Sequence, residues 1–330
     1  MTVFKGNFMT LEKPLVLVPG KIHPRVVERL KAVHEVLQIP AEDVAALDAA
    51  TRGRIRTMAF AYASAKSGEL IGQLPALELI ANFGVGYDGV DVKAAAARGI
   101  IVTNTPDVLD DEVADTTIAL LLNTARQFYQ AESWLRAGRW ENEGPFANSP
   151  LSLRGRHVGL YGLGRIGREI ASRLEPFKVK ISYHTRTPRQ DVTYGYAASL
   201  LELAEQVDTL ISIVPKTAQT HKAINAPVLK ALGARGIFIS VGRGWSVDED
   251  DLIAALKDGT IAGAGLDVFY NEPKVPPALL DMPNVSLLPH VASASVDTRN
   301  AMADLVVDNI LNWLDHRKVL TPVPETPVKA

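Results

Sequence analysis

The sequence predicts an α/β protein of two doubly wound parallel-sheet domains, and three observations carry that expectation. From residue 157 onward, six short β-rich runs alternate with helical patterns. The segment before residue 104 alternates in the same way. A glycine-rich turn at 162–167 follows the first of the six later runs and opens an amphipathic stretch through Ile170, Ala171 and Leu174. Alternation of this kind makes successive strands parallel and lays helices on the faces of the sheet.

In chain order, the strands of the first unit are expected at 15–18, 35–38, 55–60, 77–83 and 100–103, with helical stretches at 24–34, 41–51 and 90–98. A long apolar helix follows at 112–126, carrying Val113, Ile118, Leu121 and Leu122. Residues 138–152, with Gly144, Pro145 and Pro150, read as irregular. The strands of the second unit are expected at 157–161, 179–184, 208–214, 236–241, 261–267 and 284–288. Between them, Ser199 and Glu202 suit a capping box, and 248–257 begins acidic with Leu252, Ile253 and Leu256 on one side. The last helical pattern, 296–316, has no strand after it, and the Pro-rich stretch 321–330 reads as extended or mobile.

The composition narrows the function classes. A length of 330 residues suits about two domains. Hydrophobic content of 47%, charged content of 22% and a net charge of -2 give no electrostatic case for nucleic acid or an acidic membrane surface. With no cysteine, disulfides, thiolate nucleophiles and Cys-ligated metals are excluded, and the seven histidines show no ligand spacing, so no metal is expected. No apolar run approaches ~18 residues and 1–13 lacks a signal-peptide core, so a cytoplasmic location without a membrane partner is expected.

Gly162, Gly164 and Gly167 stand at G-x-G-x-x-G spacing, with Leu163, Arg165 and Ile166 between them. That spacing allows a tight turn, close approach of a pyrophosphate to the main chain, and a helix N-terminus aimed at its charge. The same pattern occurs at Gly84, Gly86 and Gly89, but the next strand there ends in Asn104-Thr105-Pro106, which offers nothing to an adenosine ribose. The dinucleotide is therefore assigned to the second motif, and the first reads as a tight loop offering backbone N–H groups. Past the second motif, 181–190 holds no acid to accept from a ribose 2'-hydroxyl; it holds His184, Thr185, Arg186, Thr187 and Arg189. Arg186 at that strand end suits a 2'-phosphate, so NADPH is favoured and NADH remains possible. A solvated basic turn is the alternative reading of the same residues.

Ligands of doubly wound sheets lie outside the carboxyl ends of the strands. Those ends here carry Gly162, Arg186, Pro215, Arg243, Asp267 and His290. Singly, Arg243 suits a surface turn, His290 a structural histidine, and Glu272 a loop carboxylate or helix cap. Together they supply what carbonyl reduction requires. A histidine can give the oxygen its proton, a carboxylate can orient the imidazolium, and an arginine can pair with a substrate carboxylate and polarise the carbonyl.

From about Leu77 to Asp308 the chain resembles the D-2-hydroxyacid dehydrogenases. The segments carrying the resemblance are 84–91, Val102 to Pro106, 162–167, Val241-Gly242-Arg243-Gly244, Gly265 to Phe269, Asn271-Glu272-Pro273 and Pro289 to Ala294, with Val291 and Ala292 where relatives often have Ile-Gly. The resemblance implies catalysis by Arg243, Glu272 and His290, and a contact from Asp267 to the nicotinamide amide. It implies that Val214, Pro215, Thr220, Val241 and Gly242 line the cofactor. It also implies that the Val85 and Gly86 N–H groups hold the substrate carboxylate beside Arg243 and His290, with 61–65 as another wall. A Rossmann dinucleotide-binding domain at 106–294 and a smaller flavodoxin-like substrate domain at 1–105 plus 295–330 follow from it. So does a homodimer formed through a segment like 112–140, in which Trp134 or Trp140 would reach the neighbour.

The missing ribose acid and Arg186 are similar to the NADPH-dependent glyoxylate/hydroxypyruvate reductase branch. The expected reaction is reduction of glyoxylate or hydroxypyruvate, with a bulkier 2-oxo acid as alternative. Formate dehydrogenases of related scaffold carry Gln where Glu272 stands, which argues against that chemistry. A dinucleotide-sensing corepressor-like role would retain the same motifs.

Overall fold

The computed structural model describes residues 14–61 and 67–328. The chain divides into two compact units: one runs to Leu109 and resumes at Ser295, and the other is the continuous stretch Asp110–Ala294.

Among the described residues, the first unit holds a five-stranded parallel sheet in the order β2-β1-β3-β4-β5. The strands are β1 (Leu15–Pro19), β2 (Glu35–Ile39), β3 (Ile55–Phe60), β4 (Leu79–Asn82) and β5 (Ile101–Thr103). Val16, Val18, Leu79 and Ala81 bury one face against Val306, Val307 and Ile310 of the helix Val296–His316, and Leu17, Met58, Phe60 and Ile80 bury the other. The final helix returns to the first sheet, which explains why no strand is needed after it. The segment beyond it is extended and seated. Pro322 makes an antiparallel bridge with Thr103, Val323 N–H donates to the Val102 carbonyl at 2.9 Å, and Val102 N–H donates to Thr326 Oγ1 at 2.9 Å.

Some expected elements differ. The stretch 41–51 splits into a 3-10 turn, Ala41–Ala46, and a helix, Ala49–Arg54. Leu47 turns extended and Asp48 caps a new start by accepting from Thr51 N–H at 2.8 Å. A helix at Ser67–Gln73 has no counterpart in the sequence reading. Within 138–152 a short helix, Arg139–Glu143, is bracketed by Gly138 and Gly144, both at positive φ.

The second unit holds a seven-stranded parallel sheet among the described residues, in the order β12-β11-β10-β9-β6-β7-β8. Its strands are β6 (His157–Tyr161), β7 (Lys180–His184), β8 (Gly195–Tyr196), β9 (Thr209–Ser212), β10 (Ile237–Ser240), β11 (Gly263–Leu266) and β12 (Val285–Leu287). Helices cover both faces, the apolar Asp110–Arg126 among them, and β9, β10 and β11 are buried throughout. Continuous burial of this kind is why those strands read as unbroken apolar runs. No helix of the described residues is long and apolar enough to cross a membrane.

Candidate active site

All strands of the larger sheet run one way, so their carboxyl ends share an edge. In sheet order, the segments leaving β12, β11, β10, β9, β6 and β7 carry His290, then Asp267 and Glu272, then Arg243, then Val214 and Pro215, then Gly162, then Thr185 and Arg186. The chain reverses its direction of sheet growth at β6, the switch point where such folds bind dinucleotides.

The three glycines there have three different reasons. Gly162 sits at φ 104°, the left-handed region a side chain disfavours, and a Cβ would meet the Ile213 carbonyl oxygen at 3.1 Å. At Gly167 a Cβ would fall 2.5 Å from the Gly162 carbonyl oxygen, so the helix Arg165–Leu174 can pack against the turn only without a side chain. At Gly164, the N-cap of that helix, a Cβ would meet nothing within 4 Å. Open space beside uncapped helix N–H groups fits a pyrophosphate. Leu163 is buried below the turn, Ile166 partly so, and Arg165 pairs with Asp110 at 3.5 Å. Gly242 continues the floor, since a Cβ there would lie 2.7 Å from the Val214 carbonyl oxygen; Val214 and Val241 are buried on either side. Thr220 Oγ1 donates to the Pro215 carbonyl at 2.8 Å and Trp245 Nε1 to the Thr217 carbonyl at 2.9 Å, closing the turn after β9.

At the other end, His184 donates from Nδ1 to the Ala197 carbonyl at 2.9 Å and stacks on Tyr161. Thr185 Oγ1 donates to the Thr187 carbonyl at 2.7 Å, the buried Tyr183 hydroxyl accepts from Arg189 N–H at 2.7 Å, and Arg168 pairs with Asp191 at 2.8 Å. The Arg186 loop is thus braced from below while Arg186 itself is exposed.

The histidine, the carboxylate and the arginine come together. Glu272 Oε2 accepts from His290 Nδ1 at 2.7 Å, and Oε1 accepts from Phe269 N–H at 3.0 Å. Burial opposes ionisation of Glu272, yet these two hydrogen bonds and the nearby His290 and Arg243 charges hold its carboxyl below the usual range. Arg243, half-buried, donates from Nη1 to the Gly242 carbonyl at 2.8 Å. His290 has φ 55°, a strained conformation for a residue with a side chain. Asp267 maintains it: its carbonyl accepts from His290 N–H at 2.8 Å, Oδ1 from Val291 N–H at 2.7 Å and Oδ2 from Ala292 N–H at 3.0 Å. The resemblance gives this carboxylate a contact with the nicotinamide amide; in the structure it is fully buried and both oxygens accept backbone N–H groups. Burial pushes its pKa up against the pull of those donors.

In the smaller unit, the loop after β4 carries Val85 and Gly86. Asn82 Nδ2 donates to the Gly84 carbonyl at 3.0 Å and the Gly86 carbonyl at 3.1 Å, while Asn104 Nδ2 donates to the Val85 carbonyl at 2.8 Å. Of the expected wall at 61–65, residues 62–65 lie outside the described residues.

A family model described as the D-isomer specific 2-hydroxyacid dehydrogenase, NAD binding domain, matches residues 118–292. The chain belongs to this family. Among solved structures of such proteins, an NADPH-dependent glyoxylate/hydroxypyruvate reductase from Sinorhizobium meliloti, in complex with NADP and malonate, is 61% identical. It superposes with a TM-score of 0.93 over 96% of this chain and 99% of its own. Glyoxylate/hydroxypyruvate reductase A of Arabidopsis thaliana is 44% identical over 82% of this chain and 86% of its own length. Hydroxyphenylpyruvate reductase of Plectranthus scutellarioides is 45% identical over 77% and 81%. The sequence reading placed the chain in this family and fold. It missed Asn82, the Asn104 side chain, Tyr183 and Trp245, all of which act on backbone carbonyls or N–H groups. Such partners leave no spacing pattern.

Proposed function

We propose that this chain reduces glyoxylate and hydroxypyruvate to the corresponding 2-hydroxy acids with NADPH, and that Arg243, Glu272 and His290 carry the reaction. The His290–Glu272 hydrogen bond at the carboxyl edge of the larger sheet is the observation that carries this reading, and the 61% identity to an NADPH-dependent reductase supports it. A reduced nicotinamide held along the glycine turn would supply the hydride that the carbonyl carbon takes up. With Nδ1 given to Glu272, the imidazolium of His290 presents Nε2–H to the carbonyl oxygen and hands it the proton as the carbon is reduced. Glu272, held ionised, fixes the orientation of the His290 ring through its hydrogen bond to Nδ1. Arg243 steadies charge developing on the oxygen and pairs with the substrate carboxylate. In the smaller unit, the Val85 and Gly86 N–H groups suit a carboxylate. Asp267 holds His290 in its strained turn.

The pyrophosphate falls to the N–H groups of 163–167 and the 2'-phosphate to Arg186, with the Thr185 and Thr187 hydroxyls beside it. Phe128, Tyr129, Leu135 and Trp140 are 49%, 67%, 53% and 62% exposed, a set of apolar side chains that suits a homodimer. Trp134, by contrast, is engaged within its own unit, donating to the Gly144 carbonyl at 3.1 Å under the Arg139 guanidinium. A cytoplasmic location is part of the same proposal.

Steady-state oxidation of NADPH and NADH with glyoxylate, hydroxypyruvate and hydroxyphenylpyruvate tests the reading. Turnover of the first two with NADPH is expected; inactivity with both removes the substrate assignment.

A further inference from the structure

We infer that Asn82 and Asn104 are positioning residues that aim the carboxylate-binding N–H groups of the smaller unit, an inference that rests on the function proposed above. A trans peptide is planar and points its C=O and N–H in opposite directions. The N–H of Val85 shares a plane with the Gly84 carbonyl, and the N–H of Gly86 shares one with the Val85 carbonyl. Asn82 Nδ2 donates to the first of these carbonyls and Asn104 Nδ2 to the second, at 3.0 and 2.8 Å. Thr105 N–H adds a further bond to the Gly84 carbonyl at 3.0 Å, and Asn82 also holds the Gly86 carbonyl. Each plane is therefore anchored by its oxygen and turns its N–H the other way. The Val85 and Gly86 N–H groups have no hydrogen-bond partner among the described residues.

The anchors are themselves fixed. Asn82 ends β4 and is 2% exposed, and Asn104 follows β5 and is 9% exposed. Asn104 is gripped by the returning chain: its N–H donates to the Thr321 carbonyl at 3.3 Å, and Thr321 Oγ1 donates to the Asn104 carbonyl at 2.7 Å. Asn309, buried in the last helix, takes Thr321 N–H at 3.2 Å and donates to Thr321 Oγ1 at 3.0 Å. The Tyr87 hydroxyl donates to Glu325 at 3.1 Å, a second tie between the loop and that segment, and burial with the Glu325 charge pushes Tyr87 up to about 12. A loop of three glycines at 84–89 would otherwise be free to rotate both planes. The asparagines remove that freedom before a carboxylate arrives, as an anion site made of backbone donors requires.

The test uses the full-length protein with Asn82→Ala and Asn104→Ala, and Asn104→Asp as a shape-preserving variant should an alanine fail to fold. The asparagine-to-aspartate change turns the donor into an acceptor that repels the Val85 carbonyl. The readouts are KM for glyoxylate, Kd for oxamate as a non-reacting carboxylate in the presence of NADPH, Kd for NADPH, and kcat. Both carboxylate constants are expected to rise roughly 10-fold or more, the loss of about one oriented hydrogen bond to a charge, while NADPH affinity and kcat move by less than about 3-fold. Unchanged glyoxylate and oxamate constants in a folded variant overturn the inference. So does a joint decline of NADPH affinity, kcat and oxamate binding, the mark of general loosening. A wild-type enzyme that turns over neither glyoxylate nor hydroxypyruvate removes the functional reading first, and this inference with it.

Discussion

Asp267 receives three successive N–H groups from the turn that begins at His290: its carbonyl takes that of His290, and its two carboxylate oxygens take those of Val291 and Ala292. One buried residue, through its main-chain carbonyl and its carboxylate, thereby sustains a positive φ at the residue assigned to proton transfer. Asp267→Asn replaces an acceptor oxygen with a donor that faces an N–H. The expected loss is about 1–3 kcal/mol of stability, from a buried donor left unpaired, together with a fall in kcat as the His290 turn relaxes. Urea unfolding and steady-state kinetics on the same preparation check both; full kcat would separate the clamp from catalysis.

His290→Ala removes the proposed proton donor and touches nothing in the glycine turn. The rate is expected to fall by ~10²–10⁴-fold, with NADPH binding by fluorescence titration kept within about 2-fold. Retained turnover would show that another group delivers the proton.

The Glu272 carboxyl is held below its ordinary value of 4.5 in the folded protein. A group depressed on folding adds stability that is complete above its unfolded pKa and fades as the pH drops through the lower folded value. Glu272→Gln cannot ionise and lacks this component. Urea unfolding of wild type and variant should therefore show a gap near pH 7 that narrows below about pH 4.5. A gap that widens toward acid contradicts the pairing.

Arg186 is exposed at the end of β7 on a loop braced by Tyr183. Arg186→Ala should raise KM for NADPH by roughly 10-fold or more, the worth of a charge-assisted hydrogen bond to phosphate, and leave KM for NADH nearly unchanged. Equal effects on both cofactors would place the guanidinium away from the 2'-phosphate.

The architecture was readable because buried parallel strands are written as apolar runs and the glycine turn as a spacing. Arg243, Glu272 and His290 could be selected because each follows a strand of one sheet. What escaped was short or indirect. The two-residue strand Gly195–Tyr196 has no period to detect, and the helix Ser67–Gln73 is too short for its pattern to stand out. The break at Asp48 turns on one capping bond. Asn82 looks like any polar residue at a strand end, and its role emerges only when Gly84 and Gly86 fold back over it.

The two units differ in how their sequence is delivered. Asp110–Ala294 is continuous and holds its whole sheet, so it can reach its folded state as soon as it is synthesised. The smaller unit must wait, because the helix Val296–His316 that covers its sheet, and Val323 in its core, are translated after the larger one. Asn104 receives its grip from Thr321 only after that helix is made. The order of biosynthesis thus completes the glycine turn at 162–167 before the loop at 84–89 receives all of its anchors.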